Sequence, residues 1–362
     1  MTGNIILEWT RPIFTYSTTP SYPLAIIGSD MSCQDWIFSH YINMHISNVD
    51  EAVKQPRLFF NSVNVLQVTA GDSWGGIQLL SYNTTYKHEL GLNKKSLFGF
   101  IYENLVEKRY IFTYINFNGY ATQFDYNHNI LIHGIDFSKE IVYLLGFKNA
   151  IYSSYTVSFE TFSNMFFSEY KDNMEKKLVL LHRNNSNYFF NVDVFRMQIK
   201  DYLMSQITFE YFDEYIFNSE KSQKSGNKNY YSFVRSAYSR GGFSFGLEAQ
   251  KVLDYYLEYF ISEDSFTTAD FDLRSFRCFM EHKALWYQRL IYLDKMEYYV
   301  SDMSELIPRF KKRADKATSI FFVLAKMKMS NRINIEKLKY LNNEIRNLIS
   351  EEIIDLEMLL TR

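Results

Sequence analysis

Between residues 335 and 360, apolar residues recur at steps of three and four: Ile335, Leu338, Leu341, Ile345, Ile349, Ile353, Leu356 and Leu360. That spacing lines up a single stripe on an α-helix, and such a stripe needs a partner to leave water. The end of the chain is therefore expected to pack helix against helix. The same period runs through 246–262, 271–299 and 302–328, giving a succession of helices. Pro308 marks the first turn of the third, where a missing amide is tolerated, so that helix is expected to begin nearer 307.

The first half changes character more often. Residues 22–27 are a short apolar stretch and 28–32 a turn, with residues 58–69 reading as strand and turn. Ser32, with Asp35 three residues on and then Trp36, Ile37, Tyr41, Ile42 and Met44, resembles a capping box opening an amphipathic helix. A helix is expected over 95–107, with Leu97, Ile101 and Leu105 on one face. Residues 110–117 are dense in β-branched and aromatic side chains, and Asn118-Gly119 is a turn signal. Residues 129–135 and 141–147 bracket the polar stretch 136–140 and read as an antiparallel hairpin. A helix follows over 158–172 and a strand over 177–181. The wholly polar run 220–229 divides an α+β part, 1–218, from a helical part, 230–362.

Among 362 residues, 47% hydrophobic content is ample for a sizeable core, and a net charge of −2 speaks against a general nucleic-acid binder. Lys311-Lys312-Arg313, Lys326 and Lys328 read as the solvated face of an amphipathic helix. Two distant cysteines form no CxxC pair, which excludes a disulfide framework or a multi-thiolate zinc site. With no leader-like start and no apolar run approaching the ~20 residues of a membrane span, a cytoplasmic protein is expected.

Cys33 is the most informative residue. With Ser32 as the cap, Cys33 would open a helix, where unpaired amides favour an anion and lower a thiol pKa. The bland alternative is a structural cysteine in a first helical turn. His128 opens the first hairpin strand, where an imidazole could serve a facing thiolate as base; it could equally be an ordinary strand-end histidine. His133, five residues on, faces the other side of a regular strand. An orienting third group is expected on the neighbouring strand, which carries no acid; Asn149 lies just beyond it and Asp136 in the turn before it. Ser73 and Ser244 sit in GxSxG strings read here as turns. Glu281 and Arg289 read as structural partners of other helices.

The segment 126–136 (YNHNILIHGID), preceded by Cys33, resembles the His-strand of papain-like and bacteriocin-leader-processing cysteine peptidases. Together with Phe245-Gly246-Leu247-Glu248-Ala249, Asp272-Leu273-Arg274, Glu281-His282-Lys283 and Arg289-Leu290, the chain is similar to butirosin-type acyltransferases and thioester-dependent amide synthetases of bacterial natural-product clusters. The resemblance implies a papain-like N-terminal part, with a Cys-bearing helix packed on an antiparallel sheet. It further implies transfer of an acyl group from a thioester to an amine through a Cys33 acyl-enzyme, with His128 as base. No cofactor would be bound. The donor would be a phosphopantetheine-tethered acyl group on an acyl or peptidyl carrier protein. No nucleic-acid or membrane partner is implied, and a homodimer is compatible. Two alternatives stay open: a catalytically inactive papain-fold scaffold or partner-binding protein, and a cysteine peptidase or amidase.

Overall fold

The computed structural model describes residues 3–47, 49–54, 65–68, 79–117, 127–148, 151–168, 177–184, 188–208, 242–262, 271–298 and 303–361. In chain order these form β1 (Asn4–Ile6), α1 (Thr18–Ile27), a 3₁₀ turn (Met31–Cys33), α2 (Gln34–Ser39), β2 (Met44–Ser47), α3 (Val49–Lys54), β3 (Gln67–Val68), β4 (Leu80–Tyr86), α4 (Ser96–Val106) and β5 (Tyr110–Asn116). Then come β6 (Asn127–Asp136), β7 (Ile141–Lys148), β8 (Ile151–Ser158), α5 (Phe159–Phe167), β9 (Lys177–Arg183), α6 (Val192–Leu203) and β10 (Phe243–Phe245). The chain ends in α7 (Gly246–Ser262), α8 (Arg274–Lys295), α9 (Leu306–Met329) and α10 (Ile335–Thr361). This is a mixed α/β protein with an antiparallel sheet and C-terminal helices. No helix among the described residues is long and apolar enough to cross a membrane.

Two compact units result: residues 1–33 with 73–188, and residues 34–72 with 189–362. The second unit thus takes an early segment, 34–72, that a single cut along the chain would leave with the sheet. The polar run 220–229 lies outside the described residues.

In the first unit the strands run β4-β9-β5-β6-β7-β8, all antiparallel, with β1 continuing the line of β5 along β6. Ile130, Ile132 and Ile135 of β6 join Val142 and Leu144 of β7 in one apolar layer. Leu97, Ile101 and Leu105 of α4, spaced four apart, cover it together with Phe162 and Phe166 of α5. Each such side chain, removed from water, contributes roughly 1.5–3 kcal/mol. Helix α1 packs against β6 and β9. Its Tyr22 ring lies edge-on to Phe112 at 5.8 Å, and the Tyr22 hydroxyl donates to the Asn129 carbonyl at 2.8 Å.

The second unit is built from α6–α10 with α2, α3 and the small sheet β10-β2-β3. Strand β10 passes into α7 at Gly246, which has φ +54°, and a Cβ there would meet the Tyr202 carbonyl oxygen at 2.1 Å. Only glycine combines that backbone with that approach. Gly246→Ala is therefore expected to lower unfolding stability by about 3 kcal/mol in chemical denaturation; an unchanged midpoint would mean the α6–α7 contact is not held this closely.

Candidate functional site

Cys33 ends the 3₁₀ turn and is buried. Asp30, not Ser32, caps this turn: its carboxylate accepts from the Ser32 amide at 2.7 Å and its carbonyl from the Cys33 amide at 3.1 Å. Arg183, the last residue of β9, pairs with Asp30 and donates to the Ser32 hydroxyl at 3.1 Å. Burial pushes the Cys33 thiol up, and a hydrogen bond with Ser32 only partly opposes it. The lowered thiol pKa read from the sequence is thus reversed. The helix that follows has six residues, too short to gather an appreciable dipole, and desolvation favours the neutral thiol.

His128 stands at the other end of the sheet. It pairs with Ile115 of β5, five residues along that strand from Tyr110; Tyr110 pairs with Leu181 of β9, and Arg183 lies two residues further on, seven strand steps in all. At about 3.3 Å per residue that is roughly 23 Å. The Cys33 turn is therefore anchored at one end of the strands and His128 at the opposite end. His128 Nδ1 lies 2.8 Å from the Asn129 carbonyl, and its ring meets Phe147 edge-on at 6.3 Å. Burial holds its pKa below the usual imidazole value, against the pull of that carbonyl.

Asp136 is eight residues further along β6 and closes the turn to β7. Its carboxylate accepts from the Ser138 hydroxyl at 2.7 Å and from the amides of Ser138 and Lys139 at 2.9 and 3.1 Å. The Ser138 bond lowers its pKa most, in the manner of an Asx turn. The structure gives Asp136 a turn-closing role and does not bring it to His128. Asn149 lies outside the described residues.

The strand reading of His133 also changes. The β6–β7 register shifts between Ile132 and Gly134, a bulge at His133. His133 Nε2 lies 2.8 Å from the Ser154 hydroxyl, and Nδ1 3.3 Å from the Leu7 carbonyl. Of the two GxSxG serines, Ser73 is outside the described residues, and Ser244 lies within β10 with its hydroxyl accepting from the Val49 amide at 3.1 Å.

The densest polar chemistry was not legible in sequence and lies in the second unit. Lys283 of α8 and Glu352 of α10 are fully buried and paired at 2.5 Å. Lys283 also donates to Gln250 of α7 at 2.9 Å, and the Tyr202 hydroxyl of α6 donates to Glu352 at 2.5 Å. Burial pushes Lys283 down to about 8, with Glu352 opposing. Burial alone would raise Glu352, but Lys283, His282 and Arg313 outweigh it and hold its carboxyl below the usual value. Two residues beside this network hold the segment after Cys33. His282, pushed down to about 3 by burial and then by Lys283, is neutral and donates from Nε2 to the Ile42 carbonyl at 2.8 Å. Arg289 donates to the carbonyls of Phe38 and His40 at 2.8 and 2.7 Å and lies over Trp286 at 4.4 Å. Arg313, read as part of a solvated face, is instead buried on Asp355. The sequence signal was Glu281-His282-Lys283 and Arg289 sharing one helix with a core-facing apolar stripe.

No family model matches this chain, and no curated protein matches it. Among the described residues no group of three or more His, Cys, Asp or Glu could hold a metal ion.

Removing one partner of a buried ion pair strands the other. Lys283→Met is expected to cost about 3–5 kcal/mol of stability, and Lys283→Met with Glu352→Leu to recover most of it. Because Glu352 has a folded pKa below its unfolded one, its contribution is present above the unfolded value and fades as pH falls through the folded one. The wild type should therefore lose stability in acid relative to the double variant. Additive losses in denaturation would contradict a coupled pair.

Proposed function

We propose that this chain is a catalytically silent protein on a papain-like frame, acting by binding a partner rather than by acyl transfer. The observation that carries this reading is the separation of Cys33 and His128 along the sheet register. A cysteine nucleophile needs its base within hydrogen-bond reach, about 2.6–3.2 Å or through one water. The helix lying against the carbonyl that follows His128 is α1, through Tyr22. Thr18, one turn before Tyr22, opens that helix, and α1 contains no thiol. Every residue of α1 carries either a hydroxyl or an apolar side chain. The buried thiol at Cys33, with its pKa pushed up, supports the same reading. Acyl transfer from a carrier-protein thioester to an amine, and hydrolysis of a peptide or amide, would each need His128 within reach of Cys33 if they ran through a Cys33 acyl-enzyme.

Alkylation of Cys33 by iodoacetamide, followed by intact mass against pH, tests this. Slow labelling, no faster than at buried Cys278 and unchanged by His128→Ala, is the expected result. Rapid labelling well below the ~8.5 of a free thiol, lost in His128→Ala, would return the chain to the acyl-transfer reading.

A further inference from the structure

We infer that the chain self-associates through the outward face of α10, two copies pairing antiparallel about Asn347. Tyr340, Asn347 and Ile354 are all exposed and follow one another at seven-residue steps, so they share one face of the helix. Tyr340 is 49% and Ile354 55% exposed, although Leu341, Ile345, Leu348 and Leu356 of the same helix are buried. A single exposed apolar residue needs no explanation. Here two stand equidistant from an exposed amide, and charge is distributed to match.

The first turns of α10 carry Glu336, Lys337 and Lys339, a net positive charge, and the exposed part of its C-terminal half carries Glu351 and Glu357. Neither of these two glutamates has an ion-pair partner among the described residues. Lys337 lies over the Tyr340 ring at 4.4 Å, and Lys339 pairs with Glu336 of the same helix at 2.8 Å. A parallel pair would set lysine against lysine. An antiparallel pair centred on Asn347 sets Tyr340 of each copy on Ile354 of the other, and Lys339 beside Glu357. The contact is isologous, the same patch meeting itself, and so closes at two copies without growing into a filament. An asparagine on the two-fold axis can donate to and accept from its own counterpart, which fixes register. The fourteen helical steps from Tyr340 to Ile354 span about 21 Å; a contact that short predicts dimerisation that depends on concentration. This self-association does not rest on the function proposed above.

Sedimentation velocity of the full chain from low to high micromolar concentration tests it, beside oxidative cross-linking of Asn347→Cys. Both native cysteines are buried, so they give the background. The expected results are a mass that doubles with concentration, a cross-linked dimer through position 347, and association roughly tenfold weaker in Ile354→Arg. Lys339→Glu should also weaken it, and adding Glu357→Lys should restore it. A chain that stays monomeric throughout and does not cross-link at 347 would overturn the inference. So would a dimer that neither Ile354→Arg nor the charge reversal affects.

Discussion

Arg289 decides where the early part of this chain belongs. A guanidinium buried in the second unit must find acceptors, and it finds them in the carbonyls of Phe38 and His40. These lie at and just past the end of α2, where carbonyls lack partners within the helix. His282, seven residues earlier on α8, takes the Ile42 carbonyl. Three backbone acceptors within five residues are thus held by one helix. Breaking either link would leave a polar group buried without a partner, at a cost of about 1–3 kcal/mol or more. Residues 34–72 accordingly fold with helices that come two hundred residues later, and Cys33 becomes the residue at which the chain leaves the sheet unit.

The same helix organises its own surroundings. Lys283, one position from His282, joins α6, α7 and α10 through Tyr202, Gln250 and Glu352. A buried pair of this kind is weak evidence for stability but specifies which groups must meet. The sheet unit is held differently, by an apolar layer beneath α4 and α5 and by the Tyr22 link from α1 to β6. His128 belongs wholly to that unit, one residue from the carbonyl that Tyr22 bonds. The functional reading follows from this division: the group read as a base is fixed on β6, whereas the group read as a nucleophile is fixed at the Arg183 end of β9.

Periodicity made much of the fold legible. The four C-terminal helices, α4, β5, the β6–β7 hairpin and β9 lie within a few residues of where apolar spacing and turn residues put them. What failed did so for identifiable reasons. Pro20 and Pro23 hid α1, since an interior proline argues against a helix unless packing compensates. The helix expected to open at Ser32 and to carry Tyr41, Ile42 and Met44 is cut short, because Asp30 tightens its start and the chain turns at Tyr41, with φ +57°, before β2. Strand β8 and helix α6 were missed because 151–158 is rich in serine and tyrosine, and 192–203 mixes charge through its apolar stripe. The buried polar network was hidden because its pairings are non-local: no spacing rule shows that Lys283 faces Glu352, or that Arg289 claims residues 38 and 40.

Cys33 and His128 are held at opposite ends of the strands, and their separation can be read chemically. A disulfide requires Cα atoms within about 7 Å. In a His128→Cys, Cys278→Ala variant under mild oxidation, two free thiols by mass and an unshifted tryptic map are predicted. An intramolecular bridge between positions 33 and 128 would contradict the arrangement described here and restore the pair as a candidate active site.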